Sequence, residues 1–313
     1  SNMKKILVYF ILVLLIAFLA IFILKKENRN YTFSYYFWEN NYNLEEQKDK
    51  LYIKILDVKY SNKLEIIETN FIKSPPRNFV PVIYITNKTF QNLDSKIVFQ
   101  EISKFLKKYD FSEIQIDCDW SDSTKNNYFA FLKELKSSLN KTISATIRLH
   151  QIKYFERTGV PVVDYGLLMY YNMSALANFE TKNYILDNNE AKKYHYNFEN
   201  YPLKLKLALP LYSQAVQFRD EKAINLFENV DEKDFIENFD KLDENRYKVL
   251  SSHYFKGKYI YKDDVLRFEN VSEKELKTAF EDFFKLSKNS FDEVVFYTIK
   301  YKTKYNLENL FKN

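Results

Sequence analysis

Glycine is unusually scarce in this sequence for its length: only 3 glycines occur among 313 residues, beside 26 tyrosines and 28 phenylalanines. Phosphate-binding loops of the Walker and dinucleotide types need closely spaced glycines, because the backbone itself must approach the phosphates. The sequence has no such cluster, and we therefore expect no nucleotide cofactor.

Cysteine and histidine are also scarce. The single cysteine, Cys118, excludes an internal disulfide and a cysteine-based zinc site. The 3 histidines are scattered without the spacing of metal ligands, so we expect no metal. The net charge is +5, but basic and acidic residues are interspersed along the chain. A nucleic-acid-binding stripe would need clustered lysines and arginines, and we expect no nucleic-acid partner.

A long apolar run is present near the N-terminus, from Ile6 to Leu24, with lysine pairs on both sides. Its length suits a bilayer crossing of about 20 residues and exceeds the apolar core of a cleaved signal peptide, which is the alternative. We predict a transmembrane anchor over residues 4–26, with the rest of the chain outside the cytoplasm, in the periplasm or at the cell surface. Ser1 and Asn2 precede the first methionine and are interpreted as residues left by recombinant expression.

Residues 30–313 contain eight apolar runs with polar alternation, several of them separated by helical patterns. The runs are 32–38, 51–58, 80–86, 113–119, 142–149, 165–171, 205–212 and 293–299. Strand-helix-strand order predicts a parallel sheet, and eight strands predict an α/β fold of the (β/α)8 TIM barrel type behind the N-terminal helix. The alternative is an open doubly wound sheet, whose strands would be apolar on both faces.

The stretch between the last two strands is longer than a minimal barrel requires. Ser272 and Glu275 have the spacing of a capping box and predict the start of the penultimate barrel helix. The residues before it, 214–271, are interpreted as an insertion. Strand-to-helix loops build the active face of such barrels, so the insertion is expected to cover or line a site; a surface excursion without function is the alternative.

The fourth strand carries the clearest chemical pattern. In the stretch IQIDCDW, Gln115, Asp117 and Asp119 occupy alternate positions and so share one face of a strand. In a barrel this is the inner face, and the two aspartates lie near its C-terminal end, where barrel enzymes hold their chemistry. Mutual repulsion and burial should raise the pKa of one carboxyl and leave the other charged. The alternative is a polar core.

Further candidate residues follow from the same alternation. On the fifth strand Arg148 and His150 share the polar face, and Arg148 is predicted to pair with Asp117, which leaves Asp119 free to carry a proton. His150 binds substrate or is structural. The only tryptophans, Trp38 and Trp120, fall at strand ends and are predicted to be platforms on which sugar rings stack.

Three strands together resemble a known family. The strand FSEIQIDCDW is similar to the signature D-G-x-D-x-D-x-E of family 18 glycoside hydrolases, the chitinase-like TIM barrels. LLMYYNM at 167–173 resembles that family's M-x-Y-D, and LALPLYS at 207–213 resembles its G-x-P-x-Y-G. The pattern is most similar to a group of uncharacterised bacterial barrels related to those hydrolases.

The resemblance implies specific roles for the matching positions. Asp119 stands at the place of the catalytic glutamate, one methylene shorter, and Asp117 at the last aspartate of the signature, with Gln115 replacing the middle one. Tyr171 matches the tyrosine that contacts the sugar acetamido group, and Asn172 stands where the family has aspartate. Tyr212 is the tyrosine of the strand-seven motif and is also expected to shape the sugar site.

These observations predict a membrane-anchored barrel that hydrolyses a cell-envelope or extracellular glycan, N-acetylated or not, with Asp119 as general acid and Asp117 as its partner. Two alternatives remain open because the acid is altered relative to the family. One is a catalytically inactive barrel that binds glycan. The other is a structural or interaction module of the cell envelope.

Overall fold

The computed structural model of the protein describes the backbone of residues 2–24 and 29–311, and the side chains in those ranges except at positions 2, 4, 7 and 18–24. Helix α1 spans Asn2–Leu24, and the last two residues of the predicted anchor, 25 and 26, lie outside the described part. Among the described residues, no helix combines the length and apolar character of a membrane span. The anchor over residues 4–26 is therefore not supported by the structure and stays a prediction.

Eight parallel strands close into a barrel. They are β1 (Thr32–Phe37), β2 (Lys50–Tyr60), β3 (Val80–Ile85), β4 (Glu113–Asp117), β5 (Thr142–Arg148), β6 (Tyr165–Met169), β7 (Leu205–Pro210) and β8 (Ser290–Tyr297). Each strand pairs with its sequence neighbours, and β1 also pairs with β8. An open sheet has two unpaired edges, whereas this one has none, so the predicted TIM-type barrel is confirmed.

Helices lie in most of the connections between the barrel strands. They are α2 (Asn87–Asn92), α3 (Ser95–Leu106), α4 (Lys125–Leu139), α5 (Leu149–Lys153), α6 (Phe155–Thr158), α7 (Asn188–Lys192), α8 (Glu273–Leu286) and α9 (Leu307–Leu310), with 3-10 turns at Glu232–Asp234 and Ile299–Lys304. The capping box predicted for α8 is present, because the Ser272 side chain accepts from the Glu275 N–H while Glu275 accepts from the Ser272 N–H. Between β2 and β3 the chain forms the strand Leu64–Glu68, antiparallel to β2, in place of a barrel helix.

Residues 214–269 fold as an antiparallel unit between β7 and α8. Its five-stranded sheet has the order Lys222–Glu228, Gln214–Arg219, Val265–Glu269, Arg246–Val249, Phe239–Lys241, and a separate hairpin joins His253–Phe255 to Lys258–Ile260. Buried side chains from the sheet and the hairpin, among them Phe227, Phe255 and Phe268, make a core of their own. A last pair of short strands, Asn41–Tyr42 and Asn70–Phe71, lies outside the barrel.

Two apolar cores explain the alternation along the barrel strands. Ile114, Ile116 and Cys118 of the fourth strand and its end pack in the large core between barrel and helices. Val82 and Leu167 belong instead to a small core inside the barrel. The face assignment of the fourth strand is therefore correct, since its polar residues alternate with the outward-packed apolar ones.

A buried ionic network fills the bottom of the barrel, where the strands begin. Lys206 is 4% exposed, and its Nζ lies 2.7 Å from Glu293 Oε2 and donates to the Tyr52 hydroxyl at 3.0 Å. The Ser34 hydroxyl donates to the other oxygen of Glu293 at 2.7 Å, and Tyr165 donates to Glu113. The charges are paired and hydrogen-bonded, as buried charges must be.

We predict that Lys206→Met lowers the free energy of unfolding by about 3 kcal/mol, because breaking a buried ion pair leaves an uncompensated charge. The measurement is equilibrium urea unfolding at pH 7, with Lys204→Met as the matched control, since Lys204 is exposed. Equal effects of the two substitutions would show that the network does not stabilise the barrel.

Candidate ligand-binding site at the barrel mouth

The polar residues of β4 and β5 pair with one another across the two strands in register. Gln115 lies opposite Ser144, which places Asp117 beside Thr146 and Asp119 beside Arg148 two and four residues further on. Each of these neighbours is hydrogen-bonded: Gln115 Nε2 to Ser144 Oγ at 3.2 Å, Thr146 Oγ1 to Asp117 Oδ1 at 2.7 Å, and Arg148 to Asp119. The three hydrogen-bonded pairs follow one another from the barrel interior to its mouth.

Arg148 binds Asp119, not Asp117 as the sequence suggested. Its Nε and Nη2 donate to the two carboxylate oxygens of Asp119 at 2.7 and 2.8 Å, a bidentate geometry that is among the strong hydrogen-bonded ion pairs. The pKa of Arg148 is raised, because the bonds to Asp119 outweigh burial. The predicted pairing failed because alternation assigns a face, whereas strand register assigns the partner.

Asp117 is consequently the carboxyl with the perturbed proton affinity. Burial and the negative charge of Asp119 raise its pKa to about 6, although the Thr146 hydrogen bond and Arg148 act in the opposite direction. The sequence predicted one raised pKa in this pair. It assigned the proton to Asp119, whereas these contacts favour Asp117.

An aromatic pocket of about 750 Å³ opens above Asp117. Its rings come from the ends of several strands: Tyr36, Trp38, Tyr84, Tyr171, Tyr212 and Tyr297. Trp38 meets Tyr84 and Tyr297 edge to face, with ring centroids 6.2 and 5.8 Å apart. Tyr171 stacks on Tyr297 at 5.8 Å. Such a wall offers flat apolar faces and hydroxyl groups together.

Tyr171 and Asn172 lie side by side at the end of β6. The Tyr171 hydroxyl is buried and has no hydrogen-bond partner among the described residues, which is costly for a polar group unless a ligand or water satisfies it. Asn172 has a left-handed backbone, with φ 56°, and its Oδ1 accepts from the Tyr212 hydroxyl. Three residues singled out in the sequence, Tyr171, Asn172 and Tyr212, therefore meet at one wall of the pocket.

Two other predicted residues lie away from this wall. Gln115 is fully buried below the pocket, and its amide oxygen accepts from Tyr36, so both ends of its amide have partners. Trp120 is 3% exposed, its Nε1 donates to the Thr158 carbonyl at 2.8 Å, and its ring packs on Tyr128. Neither residue is available as a platform for a ligand in the aromatic pocket.

His150 lines a second, more polar pocket of about 760 Å³ on the other side of the ion pair. Asp119 and Arg148 belong to its lining, with Ser121, Asp122 and Arg157. Arg148, Asn172 and Tyr184 line both pockets. The Arg148–Asp119 pair thus stands in the wall between two cavities.

Three residues that line the aromatic pocket were not predicted from the sequence: Tyr84, Tyr184 and Tyr297. Tyr84 lies in register between Asp57 and Asp117, and Tyr297 follows Val295 of the inner core by two positions, so parity alone would have identified both. Tyr184 comes from an irregular loop, where no periodic signal exists. Within the described residues, no cluster of His, Cys, Asp and Glu has the arrangement of a metal site.

The sequence matches no protein-family model and no curated protein sequence. Solved structures with a similar fold do exist. The spore cortex-lytic enzyme SleL from Bacillus cereus superposes with a TM-score of 0.50 and 13% identity, over 91% of this chain and 75% of that one. A chitinase from Chromobacterium violaceum gives a TM-score of 0.51 and 9% identity, over 87% of this chain and 95% of that one.

Identities this low establish the fold alone. The protein is a parallel eight-stranded barrel similar in architecture to a chitinase and to a cortex-lytic enzyme, and the resemblance that its strand motifs predicted is confirmed at the level of the fold.

Proposed function

We propose that this protein binds a glycan in the aromatic pocket at the mouth of its barrel. The observation that carries the proposal is the ring of aromatic side chains around a buried carboxyl, Asp117, at the C-terminal end of the strands. Aromatic faces stack on the apolar faces of sugar rings, and a few polar groups fix their orientation. The two similar barrels, a chitinase and a cortex-lytic enzyme, support a polysaccharide as the ligand class.

An N-acetylated sugar fits the wall formed by Tyr171 and its neighbours. Within the described part of the chain the Tyr171 hydroxyl lacks a partner, so it can donate to an acetamido carbonyl, the role that the resemblance implies for this position. Asn172, whose oxygen is already occupied by Tyr212, keeps its amide NH₂ as a donor.

The contacts speak against Asp119 as the general acid. Both of its oxygens accept from Arg148, so a proton on Asp119 would have to displace one of these two strong hydrogen bonds. Glycan binding without hydrolysis is therefore our first proposal. Hydrolysis with Asp117 as the acid is a second candidate, favoured by one observation: its pKa of about 6 keeps a proton available near neutral pH.

We further propose that the barrel lies outside the cytoplasm and is attached to the membrane through residues 4–26. The support is the uninterrupted apolar run from Ile6 to Leu24 and the exposure of the apolar side chains described in α1, for example Ile6 at 68% and Leu15 at 60%. A helix that is apolar all round needs a surrounding apolar phase or partner.

Trp38→Ala should weaken chitotetraose binding by about tenfold, roughly 1.4 kcal/mol, because a stacking face is lost. Isothermal titration calorimetry of the full chain measures the affinity. Tyr254→Ala is the matched control, since Tyr254 is 76% exposed on the outer hairpin. An unchanged affinity for Trp38→Ala would count against the aromatic pocket as the glycan site.

Hydrolysis is tested by incubating the full chain with chito-oligosaccharides and peptidoglycan beside its Asp117→Asn and Asp119→Asn variants, with products identified by mass spectrometry. Glycan binding alone predicts intact substrates in every sample. Catalysis by Asp117 predicts products that disappear with Asp117→Asn. Products that disappear only with Asp119→Asn would overturn both candidates and restore Asp119 as the acid.

The proton on Asp117 predicts a pH dependence of stability. Because the folded-state pKa, about 6, is raised above the usual 3.8, the stabilising contribution is complete below about pH 4 and is lost as pH rises through 6. This loss amounts to about 2–3 kcal/mol between pH 4 and pH 7. Asp117→Asn has no titrating carboxyl at this position. Its free energy of unfolding, measured with urea, should therefore rise relative to that of the unaltered chain as pH rises. A difference that does not vary with pH would contradict the raised pKa.

A further inference from the structure

The loop at 172–185 brings its residues to both pockets. It connects the end of β6 to α7 and contains no helix or strand, yet its ends are joined, because the Asn172 N–H donates to the Ile185 carbonyl at 2.9 Å. Asn172 and Tyr184, one near each end, line both cavities beside the Arg148–Asp119 pair. Compact loops with adjoining ends are frequently functional.

One face of the insertion's sheet packs on this loop, and a buried ion pair stands at the contact. Arg267 and Glu269, both 0% exposed, lie 2.8 Å apart. The guanidinium of Arg267 also donates to the carbonyls of Leu176 and Asn178, each at 2.8 Å. The contact to Glu269 thus occupies only part of the guanidinium, and its remaining donors are directed at the loop backbone.

Glu269 completes the contact from the other side. Its Oε1 accepts from the Tyr184 N–H at 2.8 Å, and its Oε2 accepts from Gln214 Nε2 at 2.6 Å. The backbone of Tyr184, a residue in the wall between the pockets, is therefore bonded directly to the buried pair. An aromatic contact supports it, since Phe179 of the loop meets Phe218 of the sheet edge to face at 5.1 Å.

A pair that only stabilised the insertion would direct its hydrogen bonds within the sheet. The insertion contains such a pair: Arg219 of the sheet donates to both oxygens of Asp264, the residue before the strand Val265–Glu269, at 2.8 and 2.9 Å, without a contact to the loop at 172–185. In contrast, Arg267 and Glu269 make three hydrogen bonds to the backbone of the loop. Backbone acceptors and donors fix the path of a chain, which makes these bonds positional.

We infer that Arg267 and Glu269 are positioning residues, which hold the loop at 172–185 so that Tyr184 and Asn172 form the wall of the glycan site. The inference rests on the proposed function for its effect on ligand binding. The insertion then shapes the site through two side chains that lie away from either cavity. Displacement of binding groups by about 1 Å is enough to change function substantially.

The test compares Arg267→Lys with Arg219→Lys in the full chain. Lysine keeps the positive charge opposite each carboxylate but has no planar fork to reach two carbonyls as well. Hydrogen exchange of the amides at 172–185 reports loop order, and calorimetry with chitotetraose reports affinity. We expect Arg267→Lys to speed exchange at Tyr184 and to weaken binding about tenfold, and Arg219→Lys to change neither.

A double-mutant cycle with Tyr184→Ala separates positioning from general destabilisation. If Arg267 acts through the wall, its effect on affinity is largely lost when Tyr184 is already alanine. Additive effects, or unchanged loop exchange in Arg267→Lys, would overturn the inference. If Arg267→Lys does not fold, Asn245→Ala takes its place, since Asn245 Nδ2 bonds the Lys182 carbonyl of the same loop at 2.8 Å.

The two proposals fail in different ways. If the unaltered chain binds no chitotetraose, the proposed ligand is wrong, and the exchange rates at 172–185 in Arg267→Lys and Arg219→Lys still decide the positioning role. If the unaltered chain binds chitotetraose and both lysine variants bind it equally well, the glycan site stands and the positioning role is overturned.

Discussion

The register between β4 and β5 is the constraint on which the chemistry of this molecule depends. Because Gln115 lies opposite Ser144, each polar side chain of one strand meets a fixed partner on the other, and the outermost pair is Arg148 with Asp119. A shift by two residues would give the guanidinium to Asp117 and remove the favourable partner from Asp119. Strand alignment therefore decides which of the two carboxyls is held by the arginine.

Periodic patterns in the sequence predicted the barrel strands and the faces on which their side chains lie. The eight strands were found because β-strands alternate with a period of two residues, and the inward direction of Gln115, Asp117 and Asp119 follows from the same rule. The partner of Arg148 could not be found in this way, because register depends on contacts between segments distant in sequence. Trp120 shows the other limit: β4 ends at Asp117, so alternation no longer describes the direction of a side chain three residues later.

For the irregular parts of the site, the sequence predicted the region but not the individual residues. The insertion was expected to cover or line a site, and Leu226, Glu228 and Asn229 do line the aromatic pocket. The sequence gives no signal that Arg267 and Glu269 are completely buried, since such residues are nearly always exposed unless they are paired. The burial arises because a second segment, the loop at 172–185, supplies the backbone groups that compensate their charges.

The ionic network of Lys206, Glu293 and Glu113 fills the lower end of the barrel with paired side chains, of which Lys206 is buried. The aromatic pocket therefore does not continue through the barrel as an open channel. A long polymer must therefore lie across the mouth of the pocket or insert one end into it. A ligand that enters through the mouth also leaves through it. Ligand entry and release therefore depend on the rim of the pocket, which is formed by loops and the insertion.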